Sequence, residues 1–332
     1  MDLQVLWFIV IAVLWTGFFI LEGFDFGVGA LHALIGRSEI ERRVAINSIG
    51  PFWDGNEVWL IVGGAAIFAA FPAWYATMFS GLYLALVLIL AALMIRGTAF
   101  EYRGKGKTQR WRSNWSRGLA VGSVLAPLLI GVGLGDLLAG LPIGADQEYT
   151  GTFWNVLTPY GLATGVTLLV LCLMHGSTFL ALKTTDEVSR RSEALARPLS
   201  LAALTLVVIW GIWTGIVGGS NSPVALALQA LMVVGAIVAA VRVRTGNQGQ
   251  AFAASAVTIG AAVASLFASL YPNVMVSSTA AANNLTVAGT ASGDYALKIM
   301  SIVAVVLFPV VLIYQGWTYH VFRKRVSAPA QS

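Results

Sequence analysis

The chain has 332 residues, 58% of them apolar and 11% charged, against about 25% charged in an ordinary soluble domain. That balance excludes a soluble globular protein, and the strand alternation of an outer-membrane barrel is missing, so a polytopic α-helical membrane protein is expected. The lone cysteine, Cys172, excludes an internal disulfide and a cysteine metal cage. Met1-Asp2-Leu3 offers no basic segment ahead of the first apolar run, so no cleavable signal peptide is expected.

Nine segments are apolar for the roughly 20 residues that a bilayer span needs: 4–34, 50–70, 73–101, 118–138, 154–182, 199–218, 223–243, 250–271 and 295–322. The basic residues order them. Arg37, Arg42 and Arg43 follow the first segment, and Arg103, Lys105, Lys107, Arg110, Arg112 and Arg117 follow the third. Lys183, Arg190, Arg191 and Arg197 follow the fifth, Arg242 and Arg244 the seventh, and Arg323, Lys324 and Arg325 the ninth. The alternate loops 71–73, 139–153, 219–222 and 272–294 carry no Lys or Arg, which leaves only Arg96 and Lys298 inside segments. By the positive-inside rule the N-terminus lies outside and the C-terminus in the cytoplasm. The net charge of +5 is therefore topological, and no nucleic-acid partner is expected.

Orientation gives meaning to the first three segments. Glu22 and Asp25 near the end of the first, and Asp54 and Glu57 at the start of the second, each stand at an i,i+3 spacing. That spacing puts both members of a pair on one helix face. Arg96 and Glu101 in the third reach the same depth. Five acids and one base thus gather on the cytoplasmic side, where an intramembrane charge is costly and marks an ion or proton path. The alternative for these acids is structural: snorkelling to water, pairing with Arg96, or, for Asp54 and Glu57, favourable placement at a helix N-terminus. The acids outnumber the base, so some must stay protonated or reach water.

Other candidates carry less. His32, His175 and His320 could each ligate haem iron, but no histidine pair falls at i,i+3 or i,i+4, and a lone membrane histidine is more commonly a packing residue. Gly131-Val132-Gly133-Leu134-Gly135-Asp136 resembles a dinucleotide loop only superficially. It follows no strand, and close helix packing explains it better. The residues alone leave two functions open, a proton-coupled secondary transporter and a subunit of a redox complex. The acidic motifs have no counterpart in the second half, and few polar groups sit at midplane, which favours the complex.

Dense motifs over 20–103 resemble subunit II of cytochrome bd quinol oxidase. They include Glu22-Gly23-Phe24-Asp25, Gly27-Val28-Gly29, Glu41-Arg42-Arg43, Trp53-Asp54-Gly55-Asn56, Val58-Trp59-Leu60, Arg96 and Tyr102-Arg103, with Pro272, Met275 and Ser277-Ser278-Thr279 late in the chain. The resemblance implies a bacterial inner-membrane protein of two four-helix bundles, 1–138 and 154–271, with a ninth helix at 295–322. It implies a heterodimer in which the partner, subunit I, holds two b-type haems, one d-type haem and the quinol and oxygen sites. This chain then binds no cofactor or metal and supplies no catalytic residue. The proton-path candidates are Asp54, Asp25, Glu22, Glu57 and Glu101, with Arg96 as charge partner, and Trp59 lies beside an oxygen access route. Membrane lipid and a small accessory subunit are further partners that the resemblance suggests.

Overall fold

The computed structural model describes residues 2–219 and 222–327. In chain order the helices are α1 (Leu3–Ile35), α2 (Glu39–Ile49), α3 (Trp53–Ala70), α4 (Pro72–Gly81), α5 (Tyr83–Tyr102), α6 (Gln109–Ala139), α7 (Pro159–Lys183), α8 (Asp186–Gly218), α9 (Pro223–Arg244), α10 (Gln248–Leu270), α11 (Val287–Thr290) and α12 (Asp294–Val321). Strands β1 (Asn273–Met275) and β2 (Leu285–Thr286) form an antiparallel pair in the connection before α12. Of the expected loop at 219–222, residues 220 and 221 lie outside the described residues.

Among the described residues, eight helices are long and apolar enough to cross a membrane: α1, α5, α6, α7, α8, α9, α10 and α12. The second expected span, α3, is an 18-residue helix outside that set. Asp54, Asn56 and Glu57 occupy its first turns and dilute its apolar character. The third expected span is two helices, because Leu82 leaves helical geometry between α4 and α5. Apolar residues flank that break on both sides, so hydropathy is blind to it. The fourth and sixth expected spans begin earlier, at Gln109 and Asp186.

Boundary chemistry explains most ends. Ser38 and Glu41 form a capping box that starts α2. Thr108 and Thr158 cap α6 and α7, and Pro72, Pro159 and Pro223 stand at helix starts where a missing N–H costs nothing. Gly219 ends α8 in left-handed geometry, at φ +55°.

Helix α1 is the axis of the molecule, packed against α3, α6, α7 and α10. It crosses α7 at Gly27 and Gly176, where a Cβ on Gly27 would stand 2.8 Å from the Gly176 Cα. The glycines at 131–135 do the same for α6 and α7: a Cβ on Gly131 would stand 2.7 Å from the Gly165 Cα. Buried polar bonds tie the helices further. Trp210 Nε1 donates to Thr164 Oγ1 at 2.8 Å, and Thr158 Oγ1 donates to Asp136 Oδ1 at 2.5 Å.

The connections segregate to two ends. At one, Arg103 on the α5–α6 connection reaches Glu39 of α2, Arg191 of α8 reaches Glu41, and Lys183 Nζ donates to the Phe322 carbonyl. At the other, the Ile143 carbonyl accepts from Ser277, Thr279 and Asn283, and Ser292 N donates to the Ala70 carbonyl. The long connection 272–294 is thus folded onto the loop after α6.

Candidate functional site: a buried carboxylate–arginine cluster

Four helices meet around Glu22 and Asp25. Both stand on one face of α1, and both are fully buried. Helix α5 delivers Arg96, also fully buried, and α3 delivers Asn56 and Glu57. Arg96 Nη2 lies 2.5 Å from Glu22 Oε1, and Nη1 lies 3.0 Å from Glu57 Oε2. The Glu57 side chain is 20% exposed, so the cluster opens at α3. The guanidinium also faces Phe26 and Phe100, 4.9 and 5.2 Å from the ring centroids. These cation–π contacts strengthen where water is excluded.

Asn56 was not among the candidate site residues, yet it is the hub of the polar contacts. Its Nδ2 donates to Asp25 Oδ2 at 2.7 Å and to the Leu21 carbonyl at 3.1 Å. Its Oδ1 accepts from Gln315 Nε2 at 2.8 Å and from the Tyr319 hydroxyl at 3.2 Å. Those two donors stand four apart on α12, and therefore on one face. Tyr319 also stacks on Phe52 at 4.6 Å, and Phe24 on Phe179 at 4.2 Å. An aromatic layer therefore separates Asp25 from the end that carries α2.

Two expected members lie apart. Asp54 and Glu101 are exposed and make no ion pair among the described residues. Asp54 stands one turn before Glu57 on α3, at the open edge of the cluster. Glu101 follows Arg96 by five residues, about 140° around the helix from it.

Trp59 is buried where α1, α3 and α12 meet. Its ring takes the space beside Gly17 and packs edge-on against Phe308, with centroids 5.9 Å apart. The next residue, Leu60, faces a different space, an apolar cavity of about 730 Å³ between α3, α4, α5 and α6. His175 is buried, with Nδ1 2.6 Å from Ser255 Oγ and Nε2 3.1 Å from the Ile20 carbonyl. Both ring nitrogens are thus engaged in tying α7 to α10 and α1. His32 is buried with Nδ1 2.7 Å from the Gly29 carbonyl, and His320 is exposed beside Arg323. Among the described residues, no group of three or more His, Cys, Asp or Glu is arranged to hold a metal.

A polytopic helical protein with a buried, three-helix carboxylate–arginine cluster belongs to the class of intramembrane proteins that handle charge rather than to simple anchors. Comparison with known proteins narrows that class. The family model for cytochrome bd terminal oxidase subunit II matches residues 3–322. The chain is 44% identical over 330 residues to cytochrome bd ubiquinol oxidase subunit 2 of Bacillus subtilis, covering 98% of this chain and 97% of the relative. It is 36% identical over 353 residues to cytochrome bd-I ubiquinol oxidase subunit 2 of Escherichia coli, covering 96% and 93%. A bd oxidase structure from Geobacillus thermodenitrificans shares the fold, with a TM-score of 0.80 at 17% identity over 97% of this chain and 98% of that one. The chain belongs to the cytochrome bd terminal oxidase subunit II family. It is a multi-pass subunit of a bacterial inner-membrane quinol:O2 oxidoreductase, and the transporter reading is not favoured.

Proposed function

We propose that this chain is the haem-free member of a heterodimer and carries protons from the cytoplasm toward the oxygen-reducing centre of a haem-bearing subunit I. The partner's two b-type haems and one d-type haem would take electrons from quinol and pass them to oxygen. In this reading the chain crosses the membrane nine times, with α3 and the bent α4–α5 unit each counted as one span. The N-terminus lies outside and the C-terminus inside, with bundles at 1–138 and 154–271 and a ninth helix at 295–322. The gathering of basic connections at one end supports that orientation. A place for Trp59 beside an oxygen route is supported by its burial at the α1–α3–α12 junction. Lipid and a small accessory subunit complete the proposed partners.

The observation that carries the reading is the graded exposure along one line. Asp54 is exposed, Glu57 one turn later is partly exposed, and Glu57 shares Arg96 with the fully buried Glu22, one turn from Asp25. Water delivers a proton to Asp54, and carboxyl groups pass it to a depth that bulk water does not reach. Glu101, exposed on a different face of α5, serves as a surface acceptor at most.

Asp54→Asn keeps size and polarity but cannot titrate. The assembled complex is expected to keep its haem spectrum while quinol-driven oxygen uptake falls roughly tenfold or more, the scale of a general acid–base group. Native turnover in the assembled variant rules the role out. Loss of the complex itself assigns Asp54 a structural role instead.

A further inference from the structure

Asn56 makes every hydrogen bond that its amide allows, and the pattern fixes which way the amide faces. The Leu21 carbonyl is an acceptor only, so the atom 3.1 Å from it must be the amide nitrogen. A flipped amide would set two acceptors against each other there. The second amide hydrogen is therefore committed to Asp25 Oδ2, at 2.7 Å.

That commitment breaks the symmetry of the Asp25 carboxyl. In a carboxylic acid the carbonyl oxygen is the better acceptor, so Oδ2 takes that role and Oδ1 carries any proton. Oδ1 is buried and has no hydrogen-bond partner, and the same holds for both Glu22 oxygens apart from the ion pair of Oε1 with Arg96. Glu22 and Asp25 stand one turn apart on the same face of α1, and both are fully buried. Two facing carboxylates supply only acceptors, so a proton is the donor that the pair lacks.

We propose that Asn56, held by Gln315 and Tyr319 of α12, is a positioning residue that makes Oδ1 the proton-bearing oxygen of Asp25 and so places one proton between Asp25 and Glu22. The proposal rests on the proton-path reading above and assigns it a resting place for the proton. It also gives α12 a role in the site, because the two donors that hold the amide oxygen come from that helix. No bond other than O–H forms or breaks: the proton moves from one carboxyl oxygen to the other, and the pair's negative charge moves the opposite way.

The test uses the assembled oxidase and reads both turnover and the infrared C=O band of a protonated carboxyl. Asp25→Asn should remove that band and depress turnover. Asn56→Leu removes the donor to Oδ2 at similar size, and should move the band to higher wavenumber while oxygen uptake falls roughly three- to tenfold, the worth of one hydrogen bond. Gln315→Met with Tyr319→Phe keeps the bulk and the stacking on Phe52, strips the amide oxygen of both its donors and so loosens the amide against Oδ2, and should shift the band likewise. If Asn56→Leu does not assemble, the α12 pair decides alone. A native band position and native turnover in the assembled α12 variant overturn the positioning role. Native turnover in the assembled Asp25→Asn variant overturns the proton-path reading beneath it.

Discussion

Arg96 shows how a single cation sets the terms for its neighbours. It is fully buried, it meets Glu22 and Glu57 within 3.0 Å, and two aromatic rings flank it. Removing one partner of a buried pair costs about 3–5 kcal/mol because the other charge is left uncompensated. Arg96→Met should therefore lower the thermal stability of the purified complex sharply, and adding Glu22→Gln should restore much of it. Thermal melting followed by size exclusion reads both, and equal melting of the native and Arg96→Met complexes contradicts this account of the cluster. The pairs Glu22/Asp25 and Asp54/Glu57 were legible in the sequence because an i,i+3 spacing is local. Asn56 was not, since a neutral amide among carboxylates carries no charge signal. Gln315 and Tyr319 lie some 260 residues further on and join the site only because α12 returns against α3. Glu101 is exposed on another face of α5 than Arg96, a placement that depth along the helix does not reveal and the turn of α5 does.

At the scale of elements, α2 is the piece that hydropathy could not find. It is an 11-residue helix with charged first turns, too short and polar to read as a span, and it is clamped on both sides. Arg103 binds Glu39 at 2.8 Å and Ser116 Oγ at 2.7 Å. Arg191 binds Glu41 through two nitrogens, at 2.9 and 3.0 Å, and also the Ile35 carbonyl. The Arg191 hydrogen bonds, followed by the backbone N–H of Ser38, hold the Glu41 carboxyl down to about 2 from an ordinary 4.5. A depressed carboxyl stabilises the fold fully above its unfolded value, and the contribution disappears as pH falls through the folded one. The stability gap between the native protein and Glu41→Gln should therefore be constant above about pH 5 and shrink toward pH 2. Melting temperatures across that range test it; a gap unchanged at pH 2.5 would break the assignment. The eight membrane-length helices among the described residues were legible within the apolar runs because lipid demands long apolar stretches. The break at Leu82 and the early starts of α6 and α8 were not, because the first lies between apolar residues and the others extend into polar sequence.

Across the whole molecule, the two ends differ in chemistry, and the site belongs to one of them. The clamps on α2, the Lys183 contact with the α12 terminus and the contact of Arg325 with Gln248 gather the basic connections at the end nearer Asp25. The aromatic layer of Phe24, Phe52, Phe179 and Tyr319 closes the direct axis from that end. The route left open runs along α3, over Asp54 and Glu57. The proton path proposed for this subunit therefore starts at its side, where α3 meets its surroundings. The most direct measurement is proton uptake by the reconstituted oxidase in sealed vesicles after an oxygen pulse, read by a pH dye on the side that carries the basic connections. Asp25→Asn should slow that uptake roughly tenfold or more in a complex whose haems still become reduced by quinol at the native rate. Uptake at the native rate in the assembled variant would contradict the account.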